Sequence, residues 1–162
     1  MKRGLSYLIF LPLSVLIMAV WVTTTGSNIP EGAVRGGYEA DGNPLFVARA
    51  RIEGIMTPGK CGYHIPGAHI PYGMKEQIIN QYEVLVHPSR SPGFLDWQRA
   101  SHGNVPPNAY RTDNDTYVGR AYYQGSLVPG KIATSHPHKC AYIGYGGNEI
   151  SIKDYEVLCQ IK

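Results

Sequence analysis

Tyr117-Val118-Gly119-Arg120-Ala121-Tyr122-Tyr123-Gln124-Gly125-Ser126-Leu127-Val128-Pro129-Gly130-Lys131 has a near copy 71 positions earlier. That copy is Phe46-Val47-Ala48-Arg49-Ala50-Arg51-Ile52-Glu53-Gly54-Ile55-Met56-Thr57-Pro58-Gly59-Lys60 (46 to 117, 60 to 131). An aromatic, a Val, Arg-Ala, a Gly and Pro-Gly-Lys recur in the same order. Each copy reads as a short strand, a glycine turn and a lysine just past a Pro-Gly corner. The chain is a tandem duplication, and the repeat unit decides the fold.

The match extends to both sides. Trp21 to Pro30 has the spacing of Trp97 to Pro106, and Ala33 matches Ala109, each pair 76 apart. The offset drops to 71 because the loop Arg111–Thr116 is five residues shorter than Arg35–Leu45. Loops absorb such length changes, whereas paired strands do not. Beyond the lysines the copies diverge, then rejoin 73 apart at Ala68–Gly73 and Ala141–Gly146, and stay in step through Glu76/Glu149 and two Tyr-Glu-Val-Leu runs (82–85 and 155–158). Alternation there marks half-buried strands.

The predicted organisation is a first repeat over 21–86, a linker over 87–96 rich in Pro and Ser, and a second repeat over 97–159. At about four strands each, neither repeat buries a core alone. The expectation is one all-β domain of two tandem ~70-residue repeats packed with pseudo-twofold symmetry. Composition agrees, since 19 Gly, 12 Pro and 12 Tyr in 162 residues favour short strands and tight turns over helices.

Lys2 and Arg3 precede an apolar run from Tyr7 to Val22, which reads as a secretory signal peptide over 1–19. The competing reading is a membrane anchor, with Pro12 and the modest length against it. Removal of the leader lowers the formal charge from +3 to +1, leaving no electrostatic footprint for nucleic acid. Secretion admits one disulfide among Cys61, Cys140 and Cys159, and Cys140–Cys159 is the pair best placed to form it because both lie in the second repeat. Three buried, reduced thiols are the preferred reading, because the repeat positions opposite them (Ile132, Gly67, Val86) carry no sulfur. Asn114-Asp115-Thr116 is a glycosylation sequon.

Several sharper readings fail on their chemistry. Gly125-x4-Gly130-Lys131 and Gly54-x4-Gly59-Lys60 mimic a phosphate-binding loop, but neither has the following Ser or Thr that holds Mg²⁺, and no helix follows. His136, His138 and Cys140, or His64 and His69, match no standard zinc spacing. No nucleophile stands beside a base, so the chain is expected to be non-catalytic and to need no cofactor. The constellation that survives is a loop-tip carboxylate with a lysine, present twice: Glu39 or Asp41 with Lys60, and Asp113 or Asp115 with Lys131. A carboxylate only accepts hydrogen bonds and an ammonium only donates them, so together they clamp neighbouring sugar hydroxyls. The plain alternative is turn chemistry and a surface ion pair contributing ~0–1 kcal/mol.

Tyr-Val-Gly-Arg-Ala-Tyr-Tyr-Gln-Gly-Ser-Leu-Val-Pro-Gly-Lys, Tyr-Ile-Gly-Tyr-Gly-Gly-Asn-Glu and Tyr-Glu-Val-Leu together resemble the DM9 repeat family, as does Trp97-x5-Gly103-Asn104-Val105-Pro106-Pro107-Asn108-Ala109. The resemblance covers 21–159. The first repeat departs from it at Ala48, Met74 and Lys75. It implies a mannose-binding lectin of innate immunity that recognises microbial surfaces, with contacts at Asp41 and Lys60, by symmetry Asp113 and Lys131, and Glu39 as a substitute for Asp41. A lectin of this kind would use its duplicated sites, and a homodimer, to raise weak single-site affinity through avidity. The alternative is a structural or protein-interaction module that binds no glycan.

Overall fold

The computed structural model describes residues 19–88 and 94–161. The predicted leader, apart from Ala19, and residues 89–93 of the predicted linker lie outside the described residues. Fourteen strands and no helix make up the described chain: β1 (Val20–Thr25), β2 (Arg35–Tyr38), β3 (Pro44–Ile52), β4 (Ile55–Cys61), β5 (Ala68–Tyr72), β6 (Lys75–Ile79) and β7 (Gln81–Val86) in the first half. The second half repeats them as β8 (Phe94–Ser101), β9 (Arg111–Asp113), β10 (Thr116–Tyr123), β11 (Ser126–Ala133), β12 (Cys140–Tyr145), β13 (Asn148–Ile152) and β14 (Asp154–Ile161). Each half thus has seven strands rather than the four expected. The loop segments contribute the short β2 and β9, and the rejoined stretches break into several strands.

Corresponding strands pair in the same register. Val47 faces Lys60 as Val118 faces Lys131, Trp21 faces Leu85 as Trp97 faces Leu158, and isolated bridges join Ala33 to Val86 and Ala109 to Cys159. The halves meet where β6 pairs β13 at Lys75↔Asn148 and where β2 pairs β11 at Tyr38↔Leu127. Because β2 also pairs β3, the strands β2-β3-β4-β5-β6-β13-β12-β11 close on themselves as an eight-stranded barrel. The outer strands β7 and β1 extend from β3 on one side, and β10, β14 and β8 extend from β11 on the other.

Three core clusters follow from this duplication. Ala48, Cys61, Ile70, Tyr82 and Val84 fill the first half, and Ala121, Ile132, Ile143, Tyr155 and Val157 fill the second. The third draws equally on both: Val47 with Val118, Leu85 with Leu158, and Ala19, Trp21, Leu95 and Trp97 around them. It sits on the pseudo-twofold axis. Ala19, the last residue of the predicted leader, belongs to this cluster, and its carbonyl accepts the Tyr110 hydroxyl.

The Pro-Gly-Lys segments are not corners. Pro58-Gly59-Lys60 lies within β4 and Pro129-Gly130-Lys131 within β11. The chain turns earlier, at Glu53-Gly54 and Gln124-Gly125, where all four residues have positive φ as a two-residue hairpin requires. Proline is tolerated because β4 pairs β5 only at Lys60↔His69, so no ladder donor is required of Pro58 on that side.

Candidate functional site

Strand alternation delivers the lysines. Cys61 and Ile132 point into the two half-cores, so Lys60 and Lys131, one residue earlier, point to the opposite face. Each ammonium then reaches across the barrel to a strand that is not its neighbour. Lys60 Nζ on β4 donates to the Gly144 carbonyl on β12 at 2.9 Å, and Lys131 Nζ on β11 donates to the Pro71 carbonyl on β5 at 2.7 Å. Gly144 and Pro71 are twofold equivalents, so the exchange is reciprocal.

Each lysine also faces a carboxylate of its own half. Lys60 lies 3.8 Å from Glu76 Oε2, and Lys131 lies 3.1 Å from Glu149 Oε2. Aromatic rings complete both stations: Tyr145 lies 6.0 Å from Lys60 Nζ, while Tyr72 and Tyr142 lie 5.1 and 5.3 Å from Lys131 Nζ. Cation–π attraction of this kind contributes about 0.5–2 kcal/mol. Where the second half has Tyr142, the first has His69, whose Nδ1 hydrogen-bonds Glu76 Oε1.

The two stations differ in access. Lys60 retains 5 % of its surface and is closed in by its partners. Lys131 opens into a pocket of about 430 Å³ walled by Tyr72, Tyr142, Thr57, Thr116, His138 and Glu149. Met74 stands exposed at its lip with φ of 67°, where the twin position is Gly147. A side chain is held there in a backbone region that L-residues seldom adopt.

The expected loop-tip carboxylates do something else. Asp41 accepts from the Asn43 amide and side chain at 3.0 Å each, which is turn chemistry. Glu39 pairs with His64 at 3.4 Å. Asp113 Oδ2 accepts the Met56 amide at 2.8 Å, and its Oδ1 accepts the Asn114 amide. Those two amides hold its carboxyl below the usual range. Among the described residues no ion pair joins Asp41 or Glu39 to Lys60, or Asp113 to Lys131.

The placement of Asp113 has a structural cause. Met56 is the twofold equivalent of Leu127, whose backbone is paired by Tyr38 of β2. The second loop is five residues shorter and cannot lay a strand there, so the Asp113 carboxylate takes the amide instead. Asn114 is exposed at the β9–β10 turn, its Oδ1 accepting from Arg111.

The possible Cys140–Cys159 bridge does not form, and the reading of three reduced, buried thiols holds. Cys140 and Cys159 are free, as is Cys61, and all three are buried. Cys140 begins β12 and Cys159 lies in β14, strands that are not neighbours, with β10 and β11 between them in the sheet. Burial pushes the Cys61 thiol up to about 12, against a smaller opposing hydrogen bond with Tyr82, which leaves almost no nucleophilic thiolate near neutral pH.

Burial alone would raise the Glu76 carboxyl, but the His69 hydrogen bond and the Lys60 charge outweigh it and hold it below its ordinary value. A depressed folded-state carboxyl adds stability above its unfolded pKa, and that stability is lost as pH falls through the folded value. Thermal melts should therefore show stability dropping on acidification below about pH 4, with a shallower acid slope in Glu76→Gln. An unchanged slope would show that this carboxyl is not linked to folding.

A second matched pair of sites flanks the barrel. Arg49 stacks 4.2 Å over Trp21 and bonds Glu83, and Arg120 stacks 4.2 Å over Trp97 and bonds Glu156. In the Tyr-Glu-Val-Leu strands the tyrosines point inward, with the Tyr82 and Tyr155 hydroxyls donating to the carbonyls of Gly26 and Asn104. The glutamates are left for the arginines.

Comparison with known proteins adds the lineage. The chain is 32 % identical over 139 residues to Natterin-4 of Thalassophryne nattereri and 33 % identical over 130 residues to Natterin-3 of the same species, covering 85 % and 80 % of this chain. It spans 33 % of the length of each relative. The crystal structure of the nematode sperm cell motility protein MFP2B shares the fold with a TM-score of 0.69 at 14 % identity, over 89 % of this chain and 44 % of that one. The DM9 repeat matches three overlapping spans, residues 12–77, 56–115 and 110–162. The duplicated strands, the paired lysines and these matches converge on one lineage: the chain belongs to the DM9 repeat family.

Proposed function

We propose that the protein is a secreted, non-catalytic lectin that takes a mannose-type saccharide, without metal, in the pocket beside Lys131. The observation that carries this reading is the convergence of an ammonium, a carboxylate and two tyrosine rings in one open cavity of about 430 Å³. An ammonium has three protons. Lys131 directs one to Pro71 and faces Glu149 with another, which leaves one for a ligand hydroxyl. Glu149 Oε1 accepts only an exposed amide, that of Met74, at 3.2 Å. Charge-assisted bonds from such a pair to vicinal hydroxyls are about twice as strong as neutral ones, and the apolar face of a pyranose suits a tyrosine wall. Leader removal at the N-terminus, glycan-coated microbial surfaces as targets and dimerisation for avidity belong to the same proposal.

The competing reading is a structural or protein-interaction module. It is favoured by the fact that both lysines already bond the opposite half. Glycan-array and mannan-binding measurements separate the two, using Lys131→Met and Tyr142→Ser. Tyr142→Ser removes a pocket wall while keeping the Lys131–Glu149 pair. Both variants should lose mannan binding at least about tenfold, the equivalent of 1.4 kcal/mol, with EDTA having no effect. If the wild type binds no glycan, the module reading stands; if Tyr142→Ser binds as well as wild type, the glycan sits elsewhere than in the Lys131 pocket.

A further inference from the structure

A separate concavity of about 390 Å³ lies where the β9–β10 turn of the second half meets the β3–β4 hairpin of the first, lined by Arg49, Arg51, Arg111, Thr112, Asp113 and Asn114. The twofold axis supplies an internal control. Arg120 uses Nε on Glu156 at 3.0 Å and Nη1 on the Gly36 carbonyl at 3.2 Å. Its twin Arg49, stacked on the equivalent tryptophan, bonds Glu83 through Nη2 alone, and its Nε is buried without a partner. Thr112 Oγ1, which stands where the first half has Gly36, is likewise buried and unpartnered. Both atoms are sealed beneath the groove surface, so a ligand would meet the outward-facing guanidinium donors around them.

The remaining groups set its charge. Arg51 commits Nη1 to the Gly54 carbonyl, and Arg111 commits Nε and Nη2 to the Asp113 carbonyl and Asn114 Oδ1, so both keep guanidinium donors in reserve. Both Asp113 oxygens already accept backbone amides, and Glu83 is paired to Arg49. The groove is rich in donors, poor in free acceptors and net cationic. Across the axis, Tyr122 stands in place of Arg51, so the feature belongs to one half only. Planar guanidinium forks match tetrahedral oxyanions better than any other side chain.

We infer that this groove binds the oxyanion of a phosphate or sulfate ester, independently of the Lys131 pocket. The test uses protein made in bacteria, so that Asn114 carries no glycan. Titration calorimetry with glucose 6-phosphate, glucose 6-sulfate, inorganic phosphate and glucose is compared across wild type, Arg51→Tyr and Thr112→Val. Tyrosine is the residue of the twin site, which keeps Arg51→Tyr folded. Both esters should bind and glucose should not, with affinity falling as salt rises. Arg51→Tyr should weaken the esters at least about tenfold, or 1.4 kcal/mol, at an unchanged melting temperature. Inorganic phosphate binding as tightly as the esters would make the free ion the ligand, and weaker binding would make it the ester. Esters that bind no better than glucose, or an Arg51→Tyr affinity equal to wild type, would overturn the assignment.

Discussion

Lys60→Ala is expected to lower the unfolding free energy by about 3–5 kcal/mol, the range for breaking a buried ion pair by deleting one partner. Lys60 is 5 % exposed, faces Glu76 at 3.8 Å and bonds the Gly144 carbonyl at 2.9 Å. Its loss leaves a buried carboxylate with only His69 opposite it and strips a carbonyl on the far wall of its donor. For a chain of this length the melting temperature should fall by roughly 6–20 °C. Lys131→Ala, at the more open station, should cost clearly less. Lys60→Met combined with Glu76→Gln should recover much of the loss, because a buried pair replaced on both sides is often neutral. Urea denaturation of the four proteins decides it, and a Lys60→Ala change under about 1 kcal/mol would mean that solvent reaches Glu76 after all. It follows that Lys60→Ala is a poor probe of ligand binding, whatever the ligand.

Gly130→Ala carries the second large effect, about 1–3 kcal/mol of destabilisation from overpacking. A Cβ at Gly130 would run into the Tyr142 carbonyl oxygen and meet Ile143 Cα at 3.2 Å, and backbone cannot rotate aside. β11 and β12 would have to separate, moving Lys131 and Tyr142 together. Gly54→Asn is the contrast. Gly54 has φ of 81° and nothing within 4 Å of a Cβ, and asparagine is among the residues that accept a left-handed backbone. That variant should stay within about 1 kcal/mol of wild type. A Gly130→Ala loss no larger than that of Gly54→Asn would show that β11 and β12 absorb the added methyl without separating.

Much of this was legible in the residues. The 71-residue echo fixes the register of β3–β4 against β10–β11, and the strand alternation it implies sends Lys60 and Lys131 away from the half-cores. In the structure the lysines pair with strand carboxylates, Glu76 and Glu149, and not with the loop-tip acids. Loop-tip acids were attractive because loops carry function, yet Glu39, Asp41, Asp113 and Asp115 fall out of register between copies, and a length change had already shown that those loops differ. Glu76 and Glu149 stay 73 apart with the strands around them, and that constancy was the better signal. The corner read at Pro58 and Pro129 failed because proline forbids only a ladder donor, and a strand with partial pairing on one side does not need one. Nothing local could show that Lys60 bonds Gly144, since that contact spans 84 positions.

The reciprocal bonds across the barrel also constrain how such a chain arose. Lys60 needs the Gly144 carbonyl, and Lys131 needs its equivalent, Pro71. A single ancestral copy would lack the acceptor for its own ammonium, but two identical copies about one axis would supply it to each other. Fusion through the segment after His87 would then have replaced a concentration-dependent encounter between subunits with a tethered one. Once joined, the halves were free to diverge, and one ammonium stayed sealed while the other came to line a pocket.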